Sequence, residues 1–364
     1  MIYFLVNNNY HLLDVYEHCK NLRKFEKSLI QIPHTLECIS KDENFNNIFI
    51  FKTPFSKMKN YFNIINVKKI ERKVKSKLTI NANDILFVYT EYEILNQYII
   101  TLFKKNGAKV YVIEDGGFPT YLTYSIEDTE PLSLKEKIKL FYFNYFLGYR
   151  FVNFLKYNNL IFPQINENYL DGVLLYLDIN IVRNIKKFLL SKNKKQLDLD
   201  KSKALFLNEK IYEYYCSKSE YSDILKICIE KMIDKFEIVY FKFHPKETEE
   251  NKLWQLKILN QYSNVEIIQD NSPVENLLVI YKTKYVFSFL SAALLNLNAQ
   301  GAVPVYIYHW FDNILENNVF QNIDNILHNI GYKFINKNCE ITDVGFSSKN
   351  YDDLKLDTFL KEIK

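Results

Sequence analysis

The sequence has little cysteine and lacks the common motifs that hold metals or nucleotides. Its cysteines are odd in number and show no CxxC or CxxH spacing; they are Cys19, Cys38, Cys216, Cys228 and Cys339. The spacing argues against a disulfide framework and against a structural zinc site, so a reducing compartment fits best. The absence of GxGxxG and Walker motifs argues against a dinucleotide enzyme or an NTPase.

No apolar run is long enough to predict a membrane span. The most aromatic stretch, residues 138–157, is interrupted by Lys139, Arg150 and Lys156, and a span needs about 20 apolar residues. We predict one or two buried helices there. The alternative is an interfacial patch, because Tyr, Phe and basic residues together suit a lipid headgroup layer.

The amino terminus, residues 1–7, lacks the basic, apolar and small-residue succession of a signal peptide and predicts a buried strand instead. We therefore expect a cytoplasmic protein, and association with the inner face of the cytoplasmic membrane stays open.

The charge balance is mild. The 364 residues include 47 basic and 43 acidic side chains, a formal charge of +4, without the clustered basic footprint of a nucleic-acid binder. The apolar fraction of 48% excludes a disordered chain. A chain this long exceeds what one hydrophobic core usually serves, so we expect two domains and a cleft between them.

Strand and helix patterns alternate in both halves. The first half predicts strands at 2–6 and 108–113 around a helix at 94–105, which Asn106 and Gly107 close. The second half repeats the scheme with strands such as 237–243 and 265–268. This alternation predicts an α/β fold with two Rossmann-like, doubly wound parallel sheets. The Lys-rich segment 191–203 predicts the linker, between domains at 1–190 and 204–340. The segment 341–364 would then be free to pack back on the first domain.

Polar residues follow several predicted strands, at the edge where ligands bind in such sheets. Glu114-Asp115-Gly116-Gly117 follows the strand at 108–113. A carboxylate there can act as a general base if its surroundings raise its pKa toward neutrality, and an ordinary tight turn is the alternative. Glu209, after the strand at 204–207, is the reserve candidate for the base.

The second half offers residues suited to a phosphate and a ribose. His244-Pro245 ends a strand, and a histidine there can contact or protonate a phosphate. Glu275, in the first turn of a predicted helix, suits ribose hydroxyls or simply the helix dipole. Ser288 and Ser291 precede a predicted helix whose N-terminus would bind a phosphate.

Two further residues are candidates for the acceptor side. Asn8 follows the first strand, where a turn and helix N-cap is the alternative, and His34 lies in Ile32-Pro33-His34-Thr35.

At these motifs the sequence resembles the bacterial sialyltransferases. It is most similar to the capsular polysialyltransferases and, after them, to the lipooligosaccharide sialyltransferases. The matching segments are Ile113-Glu114-Asp115-Gly116, Phe243-His244-Pro245-Lys246-Glu247-Thr248, Val274-Glu275-Asn276-Leu277-Leu278 and Phe289-Leu290-Ser291-Ala292-Ala293-Leu294. The family often doubles or triples the serine of the last motif, whereas alanines follow Ser291 here.

The resemblance implies a GT-B type fold with an amino-terminal acceptor domain and a carboxyl-terminal donor domain. Glu114 would deprotonate the acceptor hydroxyl and His244 would assist departure of CMP. Pro245, Lys246 and Glu275 would bind the donor, and Ser291 with Ser288 its phosphate. Apart from the resemblance, the acceptor-side candidates are Asp115, Gly116, Asn8, His34 and Glu209.

The resemblance further implies an inverting transfer of sialic acid from CMP-sialic acid to a surface glycan, in particular a capsular polysialic acid chain. We expect no cofactor and no metal, because Asp198-Leu199-Asp200 spells DxD only within the charged linker. The expected partners are the nucleotide-sugar donor and the glycan acceptor, without nucleic acid. Association with a membrane or a capsule-assembly complex stays open.

Several other functions stay open. The enzyme could add a single sialic acid to lipooligosaccharide or use another nucleotide sugar, such as CMP-Kdo or a UDP-sugar. An epimerase acting on UDP-N-acetylglucosamine and a non-catalytic sugar-nucleotide binding protein are the remaining alternatives.

Overall fold

The structure is a computed structural model that describes residues 1–33, 36, 38–52, 63–115, 118–127, 129–157, 160–191, 197–270, 272, 274–312, 314–335, 337, 345–346 and 355–363. The strands are β1 (Ile2–Val6), β2 (Lys27–Gln31), β3 (Asn47–Ile50), β4 (Ile85–Val88), β5 (Lys109–Ile113), β6 (Val152–Tyr157), β7 (Leu160–Ile165), β8 (Gly172–Leu175), β9 (Lys187–Leu189), β10 (Asp200–Leu207), β11 (Ile238–Lys242), β12 (Val265–Ile268), β13 (Thr283–Ser288), β14 (Val303–Tyr306), β15 (Tyr332–Lys333) and β16 (Gly345–Phe346).

The α-helices are α1 (Asn9–Asn21), α2 (Ile64–Lys77), α3 (Ile94–Lys105), α4 (Phe118–Ser125), α5 (Leu134–Phe141), α6 (Lys218–Lys235), α7 (Glu249–Leu259), α8 (Val274–Tyr281), α9 (Ala293–Leu297), α10 (Asn318–Asn329) and α11 (Leu356–Glu362). A π-helical turn, Tyr142–Phe146, continues α5, and short 3₁₀ turns lie at Glu167–Tyr169, Ile211–Glu213, Asn298–Gln300, Tyr308–Trp310 and Ile314–Glu316. Among the described residues, no helix combines the length and the apolar character that crossing a bilayer requires.

The chain forms two compact units. The first comprises Met1–Asp115, Thr120–Ser191 and Asp352–Lys364, and the second comprises Gly116–Pro119 and Lys192–Tyr351. The first holds a parallel sheet in the order β3-β2-β1-β4-β5-β8-β9, and the second a parallel sheet in the order β12-β11-β10-β13-β14. Two doubly wound parallel sheets are therefore confirmed.

Buried apolar runs build the first sheet. Every residue of β1 is buried, as expected of a central strand covered on both faces. At the sheet's other side Gly172 lets β8 approach β9, because a Cβ atom there would lie 2.6 Å from the ring of Phe188. From the far end of the sequence, Phe359 of α11 is fully buried in the core of this unit and meets the rings of Tyr111 and Phe188 edge-on.

Several predicted boundaries hold. The strands at 2–6 and 265–268 and the helix at 94–105 are confirmed to the residue. Gly107 follows that helix with φ +80°, the left-handed conformation that glycine adopts easily. The predicted end of the linker is wrong, because β10 already begins at Asp200; residues 192–196 lie outside the described residues.

The prediction of buried helices at 138–157 is wrong. None of the residues of α5 is buried, and the stretch ends in β6, which pairs with β7 in an antiparallel hairpin. The alternating burial of Val152, Asn153 and Phe154 shows the period of a strand with one covered face.

Candidate active site

Three polar side chains meet at one edge of the second unit's sheet. β10 lies between β11 and β13. Glu209 follows β10, His244 follows β11 and Ser291 follows β13. The chain order reverses between β10 and β13, so this edge is the topological switch point where open α/β sheets bind ligands. Ser291 hydrogen-bonds across this point to the carboxyl group of Glu209.

A pocket of about 320 Å³ opens at this edge. Its lining residues are Glu209, Lys210, Ile211, Glu213, Tyr214, Tyr215, His244, Lys246 and Leu290. Lys210 pairs with Glu213 at 2.5 Å, whereas Lys246 is exposed beside His244. The pocket thus combines a carboxyl group, an imidazole and an exposed ammonium group, and all of these residues belong to the second unit.

Glu209 has the properties of a group that exchanges protons near neutral pH. Burial raises the pKa of its carboxyl group to about 7, against a smaller lowering by the hydrogen bond from Ser291. A carboxyl group with this pKa is partly protonated at working pH, so it can both accept and donate a hydrogen bond. The sequence had offered Glu209 only as the reserve candidate.

His244 presents an N–H group rather than a positive charge. Its Nδ1 atom accepts a hydrogen bond from the backbone N–H of Lys246 at 3.2 Å, so Nε2 carries the proton of the neutral ring. Burial lowers the pKa of His244, and the charges of Lys210 and Lys246 lower it further against the carboxylates of Glu247 and Glu213. The neutral ring can therefore donate one hydrogen bond to an anionic ligand.

Glu247 fixes the turn that carries His244. Its backbone N–H donates to the His244 carbonyl at 2.9 Å, and its buried carboxylate accepts from Tyr212 at 2.5 Å and from Asn208 and Gln255 at 3.3 Å each. Asn208 precedes Glu209, so the network ties the turn after β11 to the end of β10. This role of Glu247 could not be predicted from the sequence, although Glu247 lies inside the His-Pro-Lys-Glu-Thr segment.

The helix predicted to follow Ser288 and Ser291 is α9, which begins at Ala293. It spans only five residues, so its dipole is small. Ser288 is fully buried, and its Oγ atom accepts the backbone N–H of Ser291 at 3.2 Å. Ser288 thus positions Ser291, whose hydroxyl bonds Glu209.

The remaining donor-side candidates lie at the surface of the second unit. Pro245 and Lys246 are exposed in the turn after β11. Glu275 is half-buried in the first turn of α8, as the sequence predicted. Asp200 begins β10, at the end of the strand opposite the pocket, and its Oδ1 atom accepts from the backbone N–H and the hydroxyl of Ser202.

Glu114 directly follows β5 in the first unit and is almost completely buried, with 1% of its surface exposed. Its Oε2 atom accepts the backbone N–H of Tyr176 at 2.8 Å. The hydroxyl of Tyr176 in turn donates to Asp14 at 2.7 Å, as does the hydroxyl of Tyr89 at 2.8 Å. No local pattern predicts this network, because Asp14, Tyr89 and Tyr176 come from three distant parts of the chain.

The other acceptor-side candidates have local structural roles or lie outside the described residues. Asp115 accepts a hydrogen bond from the hydroxyl of Thr120 at 2.9 Å. Asn8 caps α1 by accepting the backbone N–H of His11 at 2.9 Å, which confirms the capping alternative. Gly116 and His34 lie outside the described residues.

Comparisons with known proteins bear on both fold and family. The sequence model of the alpha-2,8-polysialyltransferase family matches residues 4–308. No curated protein matches the sequence.

Solved structures are similar at low identity. A putative UDP-N-acetylglucosamine 2-epimerase from Listeria monocytogenes superposes with a TM-score of 0.50 and 8% identity, covering 84% of this chain and 78% of that one. MurG from Acinetobacter baumannii has a TM-score of 0.47 and 10% identity, covering 94% and 86%. A UDP-glucosyltransferase from Polygonum tinctorium has a TM-score of 0.47 and 10% identity, covering 90% and 83%. Likeness at such identity concerns the fold alone; the predicted fold class is confirmed by the two parallel sheets themselves.

Proposed function

Because the chain belongs to the alpha-2,8-polysialyltransferase family, a family of glycosyltransferases that use CMP-sialic acid, we propose that it extends a capsular polysialic acid chain on the bacterial surface glycan. The match over residues 4–308 carries this proposal. A nucleotide-sugar donor and a glycan acceptor follow from the family. The reaction is proposed to invert the anomeric carbon, because the activated acceptor hydroxyl attacks directly.

The donor phosphate is proposed to bind in the pocket of the second unit. The Nε2–H group of His244 would donate to a phosphate oxygen and stabilise the charge that develops as CMP leaves. Lys246, exposed in the same turn, would add a positive charge, and Glu275 would accept hydrogen bonds from the ribose. These side chains support departure of CMP without a metal ion, which is part of the proposal.

Glu114 is the proposed general base that takes the proton of the acceptor hydroxyl. The backbone N–H of Tyr176 holds its carboxylate in one orientation, which a base needs at the moment of attack. Glu209 is the alternative, since its pKa of about 7 suits proton transfer at neutral pH. Substituting Glu114 and substituting Glu209 should therefore change the pH dependence of transfer differently.

The proposed place of work is the cytoplasm, at the inner face of the cytoplasmic membrane and in contact with a capsule-assembly complex. Within the described part of the chain Cys19, Cys38, Cys216 and Cys228 are free, which suits a reducing compartment. CMP-sialic acid and the growing glycan would meet the enzyme there.

The test is transfer from CMP-sialic acid to labelled acceptors, one set lactose-terminated and one oligosialic. The wild type is compared with Glu114→Gln, Glu209→Gln and His244→Ala, and with Glu250→Gln as the matched control on the exposed side of α7. We expect long products on oligosialic acceptors. Glu114→Gln and His244→Ala should lose transfer by at least about 100-fold, while Glu250→Gln keeps it.

Each other outcome points elsewhere. Single additions to the lactose-terminated acceptor would indicate a lipooligosaccharide enzyme. Consumption of CMP-Kdo or a UDP-sugar in place of CMP-sialic acid would overturn the donor assignment. Full activity of Glu114→Gln with loss in Glu209→Gln would move the role of base to Glu209.

A further inference from the structure

An exposed apolar face runs along α5 and the π-helical turn that follows it. Leu134, Ile138, Phe141 and Tyr145 are spaced by four, three and four residues and so fall on one side of the helix. With the adjoining Phe146 they define what we call the helical apolar face. Each of these side chains is between 53% and 75% exposed. Every residue of α5 is described and none is buried, so this helix adds nothing to the core of the first unit.

The structure holds this face in a fixed position. A capping box between Ser133 and Glu136 begins α5. At its far end Phe143 is fully buried and packs edge-on against Phe154 of β6. The rings of Phe141 and Tyr145 stack at 4.5 Å. The apolar side chains are thus presented by an ordered element.

Basic residues accompany the apolar ones. α5 carries Lys135, Lys137 and Lys139, and its one acidic residue, Glu136, is bound to the backbone N–H of Ser133 at 2.6 Å. An ammonium group here has no acidic partner within α5 other than that capping carboxylate.

The neighbouring helix α2 extends the same chemistry. Its Lys68 donates to the carbonyl of Leu147 at 3.3 Å, and its buried Glu71 accepts from the hydroxyl of Tyr149 at 2.6 Å, so α2 is joined to the end of the π-helical turn. Ile65 in its first turn is 82% exposed. The exposed basic residues of α2 are Lys69, Arg72, Lys73, Lys75 and Lys77.

We propose that the helical apolar face docks on the surface of an anionic lipid bilayer. Aliphatic and aromatic side chains would enter the boundary between headgroups and acyl chains, and the lysines and arginine would contact anionic headgroups. A hydrated polyanionic glycan would leave Leu134, Ile138 and Ile65 without a favourable contact. A second copy of the same face would bring like charges together.

This inference rests on the proposed location at the inner face of the cytoplasmic membrane. It does not depend on the proposed transfer of sialic acid. The full chain is therefore mixed with phosphatidylcholine vesicles that contain or lack phosphatidylglycerol at about one third of the lipid, without donor or acceptor. Sedimentation measures the bound fraction. The test variant is Ile138→Ser with Phe141→Ser, and the matched control is Leu253→Ser with Ile280→Ser, which removes similarly exposed apolar residues of the second unit.

We expect the wild type and the control to bind the anionic vesicles and the test variant to bind at least about 10-fold less. Raised salt should weaken wild-type binding, and transfer to a soluble acceptor should be equal in all three proteins. Equal vesicle binding by the test variant would overturn the proposal, as would a wild type that ignores anionic vesicles. A wild-type dimer that the test variant converts to a monomer would assign the face to a second copy. If the wild type binds anionic vesicles but transfers no sialic acid, only the proposed function would be overturned.

Discussion

The buried carboxyl group of Glu209 should make the second unit less stable as the pH rises through neutrality. Its pKa is about 7 in the folded chain against an ordinary value of 4.5. Between these values the folded state binds more protons than the unfolded state, so the free energy of unfolding falls as the pH rises through this window and levels off above it. The difference of 2.5 units corresponds to about 3 kcal/mol at pH 8.

The substitution Glu209→Gln removes this cost. The amide is neutral at every pH and can still hydrogen-bond Ser291. We expect the variant to exceed the wild type in free energy of unfolding by about 1–3 kcal/mol at pH 8 and by less than about 1 kcal/mol at pH 5. The sign is unusual, because most substitutions of half-buried residues destabilise.

Tryptophan fluorescence during urea unfolding is the suitable assay. The sequence has two tryptophans, Trp254 and Trp310, and both lie in the second unit, so the signal reports on the sheet that carries Glu209. Glu250→Gln, which removes an exposed carboxylate from α7, should change the free energy by no more than about 0.5 kcal/mol at either pH. A Glu209→Gln variant with the same pH dependence as the wild type would refute the reasoning.

The remaining predictions concern the pocket and the core of the first unit. The KM for the donor should rise above pH 7 in the wild type, because ionised Glu209 repels a phosphate, and steady-state kinetics should find this rise absent in Glu209→Gln; an equal rise in both would contradict it. Glu247→Ala should lower kcat by at least about 10-fold by releasing the turn of His244, with Glu247→Gln restoring part of it; unchanged kcat would contradict the positioning role. Phe359→Ala should cost the first unit about 3–5 kcal/mol in urea unfolding, and a loss below about 1 kcal/mol would mean that α11 is dispensable. Glu91→Gln should cost the first unit about 1–3 kcal/mol, because the buried guanidinium of Arg183 then keeps the more exposed carboxylate of Glu167, at 3.5 Å, in place of its buried partner; an unchanged midpoint of unfolding would contradict this.

The strands, and most of the polar residues at the carboxyl edge of the second sheet, can be predicted from the sequence for a physical reason. A run such as Ile2 to Val6 is apolar at every position because a central parallel strand is covered on both faces. His244-Pro245 ends such a run, and proline stops the ladder. These signals are local, so they can be read without the fold.

The sequence does not predict contacts between residues that are distant in the chain, nor whether an apolar helix face is buried or exposed. The apolar period of residues 134–146 is the same for a helix that faces a core and one that faces a bilayer. Glu247 depends on Tyr212 and Asn208, which are 35 and 39 residues away in the sequence. The hydrogen bond from the N–H of Ser291 to the buried hydroxyl of Ser288 also depends on the fold of this turn, which the sequence does not reveal.

The charges around the pocket indicate how a phosphate could be accepted beside a carboxyl group. Lys210 is paired with Glu213, and the lowered pKa of His244 keeps its ring neutral, so the positive charge that a phosphate would meet there comes from Lys246 and the paired Lys210. An ionised Glu209 would cancel much of that charge. Protonated Glu209 would instead offer a hydrogen bond, and its pKa of about 7 makes this form available at neutral pH.

Binding of the donor should therefore take up a fraction of a proton at pH 7.5. Calorimetry in buffers of different ionisation enthalpy measures this uptake, and Glu209→Gln should abolish it. Proton uptake that persists in Glu209→Gln would assign the proton to His244 and reverse this account of the pocket.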